Sequence, residues 1–151
     1  MINKLMKTSD DYGLAVARVL LGIVFFAHGA QKALGWWGGP GFEGTMGFFT
    51  HMGTPAPLAF LAIMAEFLGG LGLIVGALSR VAALGILCNM VVAIVTVHSA
   101  NGFFMNWAGN QKGEGFEYHL LAIALTLVVI INGAGALSVD RTYTNRALSG
   151  R

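Results

Sequence analysis

The sequence predicts an all-α fold: an integral membrane four-helix bundle with a short interfacial amphipathic helix in its first outer loop. Three observations carry that expectation. Of the 151 residues, 56% are hydrophobic and only 11% charged, with a mean hydropathy of +0.70, too apolar for an ordinary soluble surface. Four stretches, 14–34, 58–78, 81–100 and 117–139, each approach the roughly 20 apolar residues that a bilayer-spanning helix needs. The length admits one domain, so 1–151 reads as a single membrane unit embedded in the lipid bilayer.

The first stretch follows Lys4 and Lys7 and could pass for a secretory leader. It runs longer than a leader's apolar core and lacks a small-x-small cleavage site, so it is expected to be retained. The first outer loop, Gly35 to Pro57, opens with GWWGGPG, a turn whose Trp36 and Trp37 suit the headgroup region. Phe42, Met46 and Phe49 then recur at helical spacing, predicting an amphipathic helix that stops before Gly53 and the Pro55 to Pro57 start of the second span. That span holds Gly69, Gly70, Gly72 and Gly76 among leucines. Gly72 to Gly76 is a small-xxx-small step suited to close helix contact, as are Gly22 and Gly29 of the first span.

The third span carries Cys88, expected to be buried in its apolar run; as the one cysteine it excludes an internal disulfide or a CxxC pair. The second outer loop, Asn101 to Phe116, sets Phe103, Phe104 and Trp107 among Gly and Asn breakers and reads as a lid rather than a solvated linker. Seven basic residues (Lys4, Lys7, Arg18, Arg80, Arg141, Arg146, Arg151) fall on one side of the four spans and two (Lys32, Lys112) on the other, which places both termini in the cytoplasm. A multi-pass chain of this kind fits a bacterial inner membrane. The net charge of +2 comes from scattered residues, so no basic stripe exists to bind nucleic acid.

Ionisable groups inside hydrocarbon cost at least about 2.5 to 3.5 kcal/mol at a helix centre, so each must be paired, hydrated or near an end. Odd spans end and even spans begin on the same side. At 1.5 Å per residue, Lys32, His98 and His119 therefore lie within about 5 Å of the outer boundary, His28 about 9 Å in and Glu66 about 12 Å in. His28, Gln31 and Lys32 form an i, i+3, i+4 set on one helix face. Glu66 shares its stripe with Gly69, Gly70 and Leu73 and is expected to face the bundle within reach of His28 or Lys32.

Each group also has a plain structural role open to it. Lys32 can snorkel, His98 and His119 can sit idle at the interface, and Glu66 can form a buried ion pair with Arg18, Lys32 or a histidine. Arg18 reads as an anchor at the cytoplasmic end, and Asn89 and Asn132 as interhelical hydrogen bonds. A copper site from Met46, Met52, Met64, Met105, His51 and His98 is disfavoured, because methionine in so apolar a chain is filler, and no metal ligands are assigned. Haem held by His28 with His98 or His119 is also disfavoured, without a CxxCH motif or a pair at matched depth.

Arg18-x3-Gly22-x2-Phe25-x2-His28-Gly29-x2-Lys32, Gly41-Phe42-Glu43-Gly44, Gly53-Thr54-Pro55 and Ala65-Glu66-x2-Gly69-Gly70-x2-Leu73 together resemble the DoxX family of small four-helix bacterial membrane proteins, over residues 12–139. The resemblance implies an oxidoreductase or a membrane subunit of one, linked to quinone and a redox protein partner. On that reading His28, Lys32 and Glu66 are the catalytic candidates. Gln31, His98, His119, Phe49, Phe103 and Trp107 are candidates for ligand binding, with Phe48 and Phe104 also able to flank a quinone ring. No flavin or dinucleotide fingerprint is present, so the cofactor beyond a quinone-like ligand is unassigned. Two alternatives stand beside it: a non-catalytic membrane subunit or scaffold for a redox partner, and a small proton-coupled carrier, for which a homodimer would supply the second half.

Overall fold

The computed structural model describes residues 2–149; Arg151 and the side chain of Lys4, both part of the charge asymmetry, lie outside the described residues. The helices are α1 Ile2–Met6, α2 Tyr12–Leu34, α3 Gly41–His51, α4 Ala56–Val75, α5 Ser79–Thr96, α6 Glu117–Asn132 and α7 Val139–Ser149. Single 3-10 turns occupy Trp36–Gly38 and His98–Asn101, and no strand occurs among the described residues. Helices α2, α4 and α5 are long and apolar enough to cross a membrane, and α6 is a shorter apolar helix beside them. The result is an all-α membrane bundle.

Local chemistry sets the ends. Asp11 caps α2 by accepting the Leu14 N–H at 2.9 Å. Gly35, at φ 72°, closes the same helix by returning its N–H to the Ala30 and Gln31 carbonyls. The apolar stretch 117–139 is helical only to Asn132, because Gly133 at φ 91° breaks the ladder. The chain then folds back on the start of α2, where the Ala136 N–H meets the Asp11 carbonyl at 3.0 Å.

Helices α2 and α4 touch backbone to backbone. A Cβ on Gly22 would lie 2.8 Å from the Ile74 nitrogen and 2.9 Å from the Gly70 oxygen. One on Gly29 would overlap the Phe67 backbone, and one on Gly70 the Phe26 backbone. The close contact thus runs through Gly22, Gly29 and Gly70. The expected Gly72 to Gly76 step plays a different part, since Gly76 ends α4 at φ 71° with its α-carbon against Ser138. Phe25, Leu73, Ile86, Met90 and Val129 fill the space between α2, α4, α5 and α6.

Three other expectations need correction. Cys88 is exposed on the outside of the bundle, because in a helix apolar all round hydropathy does not mark the inner face. Asn132 bonds within its own helix, to the Val128 carbonyl at 2.9 Å, whereas Asn89 does link helices, donating to the Ala62 carbonyl at 2.7 Å. Arg18 is no surface anchor. It is fully buried and donates to the carbonyls of Ala134 (2.7 Å), Leu73, Ile74 (3.0 Å) and Leu137 (3.3 Å), satisfying the last turn of α4 and the segment after α6.

Arg80 does the same work nearby, donating to the carbonyls of Ile130, Ile131, Leu5 and Lys7. Asp140 of α7 caps α5 from a distance, its two carboxylate oxygens accepting the Leu78 N–H at 2.8 Å and the Ser79 N–H at 2.9 Å. The amino-terminal segment, the α4–α5 turn, the end of α6 and α7 are thereby knitted into one end of the bundle.

Candidate functional site

The opposite end holds the side chains that chemistry would use. Because Gly29 brings the α2 backbone against Glu66 and Phe67, Lys32, one turn further along α2, stands over Glu66. The two form an ion pair, with the Lys32 side chain 29% exposed and that of Glu66 7%. Helix α3 closes the neighbourhood through its buried Thr45, whose hydroxyl donates to the Gly41 carbonyl at 2.7 Å and meets the Lys32 carbonyl at 3.2 Å. Pairing is what makes a buried carboxylate tolerable here: an unpaired one would cost several kcal/mol, on the order of 3 to 5 when its partner is removed.

His28 is treated differently. It is exposed on the outside of the bundle, within the electrostatic reach of Glu66 and Lys32 but hydrogen-bonded to neither. Lysine therefore takes the carboxylate and the histidine remains open. Gln31 is half-buried, with Gly39 packed so closely on it that a Cβ there would overlap its backbone and its Cβ.

A second pair forms between His98 and His119 at the same end. The rings of His98 and His119 lie 4.0 Å apart, tilted by 44°. His98 is held by its Nδ1, 2.8 Å from the Glu114 carbonyl; a carbonyl only accepts, so Nδ1 carries the hydrogen. His119 is 6% exposed, and its Nδ1 finds no hydrogen-bond partner. Rings this close leave no space for an iron between them, so these two do not suit haem ligation as a pair. Among the described residues no three His, Cys, Asp or Glu side chains gather as a metal site.

The aromatic candidates sit apart from both pairs. Phe49 packs on Phe48 at 5.8 Å, and Phe103 lies between Phe104 at 5.1 Å and Phe116 at 5.4 Å. Trp107 is 87% exposed at the tip of the second loop. That loop is tied to itself: the Met105 N–H donates to the Glu117 carboxylate at 2.8 Å and the Asn106 N–H to that of Glu114 at 2.6 Å. The aromatic neighbours nearest in sequence to the ion pair are instead Phe67, beside Glu66, and Phe26, stacked on it at 5.5 Å with Trp36 edge-on at 6.4 Å.

One residue escaped the sequence reading. Tyr118 packs against the core cluster, feels the charge of Glu66, and has a buried hydroxyl with no hydrogen-bond partner. The available signal was its place: a tyrosine between Glu117 and His119 in the first turn of an apolar helix.

Comparison with known proteins matches the sequence to a family. The chain is 34% identical over 141 residues to inner membrane protein YqjF of Escherichia coli K12, covering 93% of this chain and 99% of that protein. It is 30% identical over 135 residues to the protein named "Putative oxidoreductase CatD" of Bacillus subtilis 168, covering 89% and 90%. Inner membrane protein YphA of Escherichia coli K12 is 25% identical over 134 residues, covering 85% and 88%. No solved structure matches. The DoxX family model covers residues 13–99, from the start of α2 into the turn after α5, and so contains His28, Lys32, Glu66 and His98 but not Tyr118 or His119. On that match and on these relatives, the chain belongs to the DoxX family, as a membrane protein of helical-bundle fold.

Proposed function

We propose that this chain is an integral membrane component of an oxidoreductase and binds a quinone-like ligand beside the Lys32–Glu66 pair. The observation that carries the reading is the pair itself: a carboxylate 5% exposed inside an apolar bundle, matched to an ammonium, with an unbonded histidine next to it. The name of the Bacillus relative supports the redox class.

A quinone that takes two electrons also takes two protons, becoming a quinol. The electrons would come from a docked redox protein. Lys32 would stabilise negative charge developing on a quinone oxygen, Glu66 would pass the proton, and His28, open to the outside of the bundle, would meet a lipid-soluble ligand arriving through the bilayer. Gln31, His98 and His119 line the same end and would complete the polar wall. Phe49, Phe103 and Trp107 would reach the ring only if the outer loops close over it. With both termini in the cytoplasm, the site opens to the outer half of a bacterial inner membrane. A reporter fused after Arg151 tests that orientation, and activity confined to the outside would reverse it.

A non-catalytic subunit or scaffold is the competing reading, and the mutual neutralisation of Lys32 and Glu66 favours it, since a buried pair can serve as a staple alone. One experiment separates them. The protein is purified in mild detergent, its lipids are extracted and assayed for quinone, and binding of a short-chain ubiquinone analogue is measured for wild type, His28→Gln and Glu66→Gln. Co-purifying quinone and binding lost in both variants support the first reading. Absence of any quinone or analogue binding leaves the scaffold.

A further inference from the structure

We infer that Tyr118, His119 and His98 form a hydrated proton path joining Glu66 to the loop-bearing face of the bundle. The inference deepens the reading of Glu66 as a proton carrier and rests on it.

Two consecutive residues of α6 bury polar atoms that find no partner in the protein: the Tyr118 hydroxyl and the His119 Nδ1. Each such atom costs about 1 to 3 kcal/mol if left dry, and buried polar groups in native proteins are almost always satisfied. Successive helical residues project about 100° apart, so the two cannot address one ligand atom. Separate small molecules bridging each to its surroundings fit this geometry, and water is the molecule of that size with both donor and acceptor capacity.

The order of groups runs outward. Tyr118 lies within the field of Glu66 and packs on the core, with the His119 ring 5.5 Å from its own and the His98 ring 4.0 Å beyond. His98 is half-buried and donates Nδ1–H to the Glu114 carbonyl of the loop, which leaves its Nε2 as a proton acceptor. Around Glu66 the titratable groups are Lys32 and His28 from α2 and Tyr118 from α6. From α5 comes Asn89, bonded to Ala62, and from α3 Thr45, both neutral.

A proton from outer water would bind His98 Nε2, pass through water to His119 Nδ1, and pass through further water to the Tyr118 oxygen as that hydroxyl's own hydrogen moves, again through water, to the Glu66 carboxylate. Only N–H and O–H bonds change and no electron moves. At the other end Arg18 and Arg80 do not release protons in proteins and have their donors held by carbonyls, Asp140 accepts backbone N–H groups with both oxygens, and Asp10 is paired with Arg141.

The test is the rate at which Glu66 protonates after a pH jump, read on the full chain in detergent by the infrared band of its carboxylic acid and identified by loss of that band in Glu66→Gln. Tyr118→Phe and His119→Asn should each slow the rate about tenfold or more. Rates equal to wild type in both overturn the path, as does the absence of any carboxylic-acid band after the jump. Should His119→Asn misfold, Tyr118→Phe decides alone, since it removes one oxygen atom. Binding of the ubiquinone analogue is measured on the same samples. Slowed protonation without analogue binding ends the quinone reading and keeps the path; analogue binding with unslowed protonation does the reverse.

Discussion

The two ends of the bundle use charge in opposite ways. At the end that gathers the amino-terminal segment, the α4–α5 turn and α7, three charged side chains are engaged with backbone: Arg18 and Arg80 with the carbonyls that helix ends leave over, Asp140 with the first N–H groups of α5. At the other end Lys32 and Glu66 hold each other, His28 holds nothing, and Tyr118 and His119 keep buried atoms without partners. In a membrane, where lipid gives a stray polar group no relief, a satisfied network means architecture. An unsatisfied one is where chemistry or binding is to be sought.

The largest test of that contrast is Arg18→Met. It preserves length and apolar volume but leaves the Leu73, Ile74, Ala134 and Leu137 carbonyls without their donor. A loss of about 3 to 5 kcal/mol is expected, read as thermal unfolding in detergent. Arg18→Lys should recover little of it, since one ammonium cannot span carbonyls on two segments. Wild-type melting of Arg18→Met would show that this end is not a clamp.

Next in size is Glu66→Gln, which strands Lys32. The lysine side chain is 29% exposed and finds partial relief, so the expected cost is about 1 to 3 kcal/mol, below that of the Arg18 variant. Lys32→Met combined with Glu66→Leu should regain most of it, because neither charge is then left alone. If the double variant were as unstable as the single one, the pair would be architecture too and the contrast would fail.

How much of this was legible beforehand follows from which contacts are local. The helical stretches and the inward face of Glu66 come from hydropathy and from one stripe of a single helix, Glu66, Gly69, Gly70 and Leu73, all of them buried. Lys32 as its partner stood beside Arg18 and a histidine as candidates. Helical spacing puts His28 and Lys32 on one face and does not say which side chain the crossing of α2 and α4 brings over the carboxylate. Arg18 was misread because its acceptors lie 55 to 119 positions away in the chain, and an arginine near a helix end ordinarily snorkels. Cys88 was misread because lipid is as apolar as a core.

A smaller effect is expected from Asp140→Ala, which removes the carboxylate capping the Leu78 and Ser79 N–H groups. The loss should be about 1 to 2 kcal/mol, the range for an N-cap carboxylate, and should appear as lower thermal stability with analogue binding unchanged. A fall in binding per folded molecule would mean that the two ends are coupled.

The finest comparison uses the one unpartnered buried hydroxyl at each end. Ser79 Oγ, beside Asp140, and Tyr118 Oη, near Glu66, both lack a hydrogen-bond partner among the described residues. Treated alone they are the same problem, and deleting each oxygen by Ser79→Ala and Tyr118→Phe should cost nothing or even stabilise, because an unsatisfied group disappears. The contrast between the ends predicts otherwise. Ser79 sits in a region where the surrounding backbone is already satisfied, and its hydroxyl is idle, so Ser79→Ala should melt within about 0.5 kcal/mol of wild type. Tyr118 lies in the field of a carboxylate, where a bridging water would bond both, so Tyr118→Phe should cost about 0.5 to 1.5 kcal/mol. Combined with Glu66→Gln the two losses should fall short of additive, since they remove parts of one network. Equal melting temperatures for Ser79→Ala and Tyr118→Phe would make the Tyr118 hydroxyl as idle as that of Ser79, and would remove the reason for regarding the Glu66 end as hydrated.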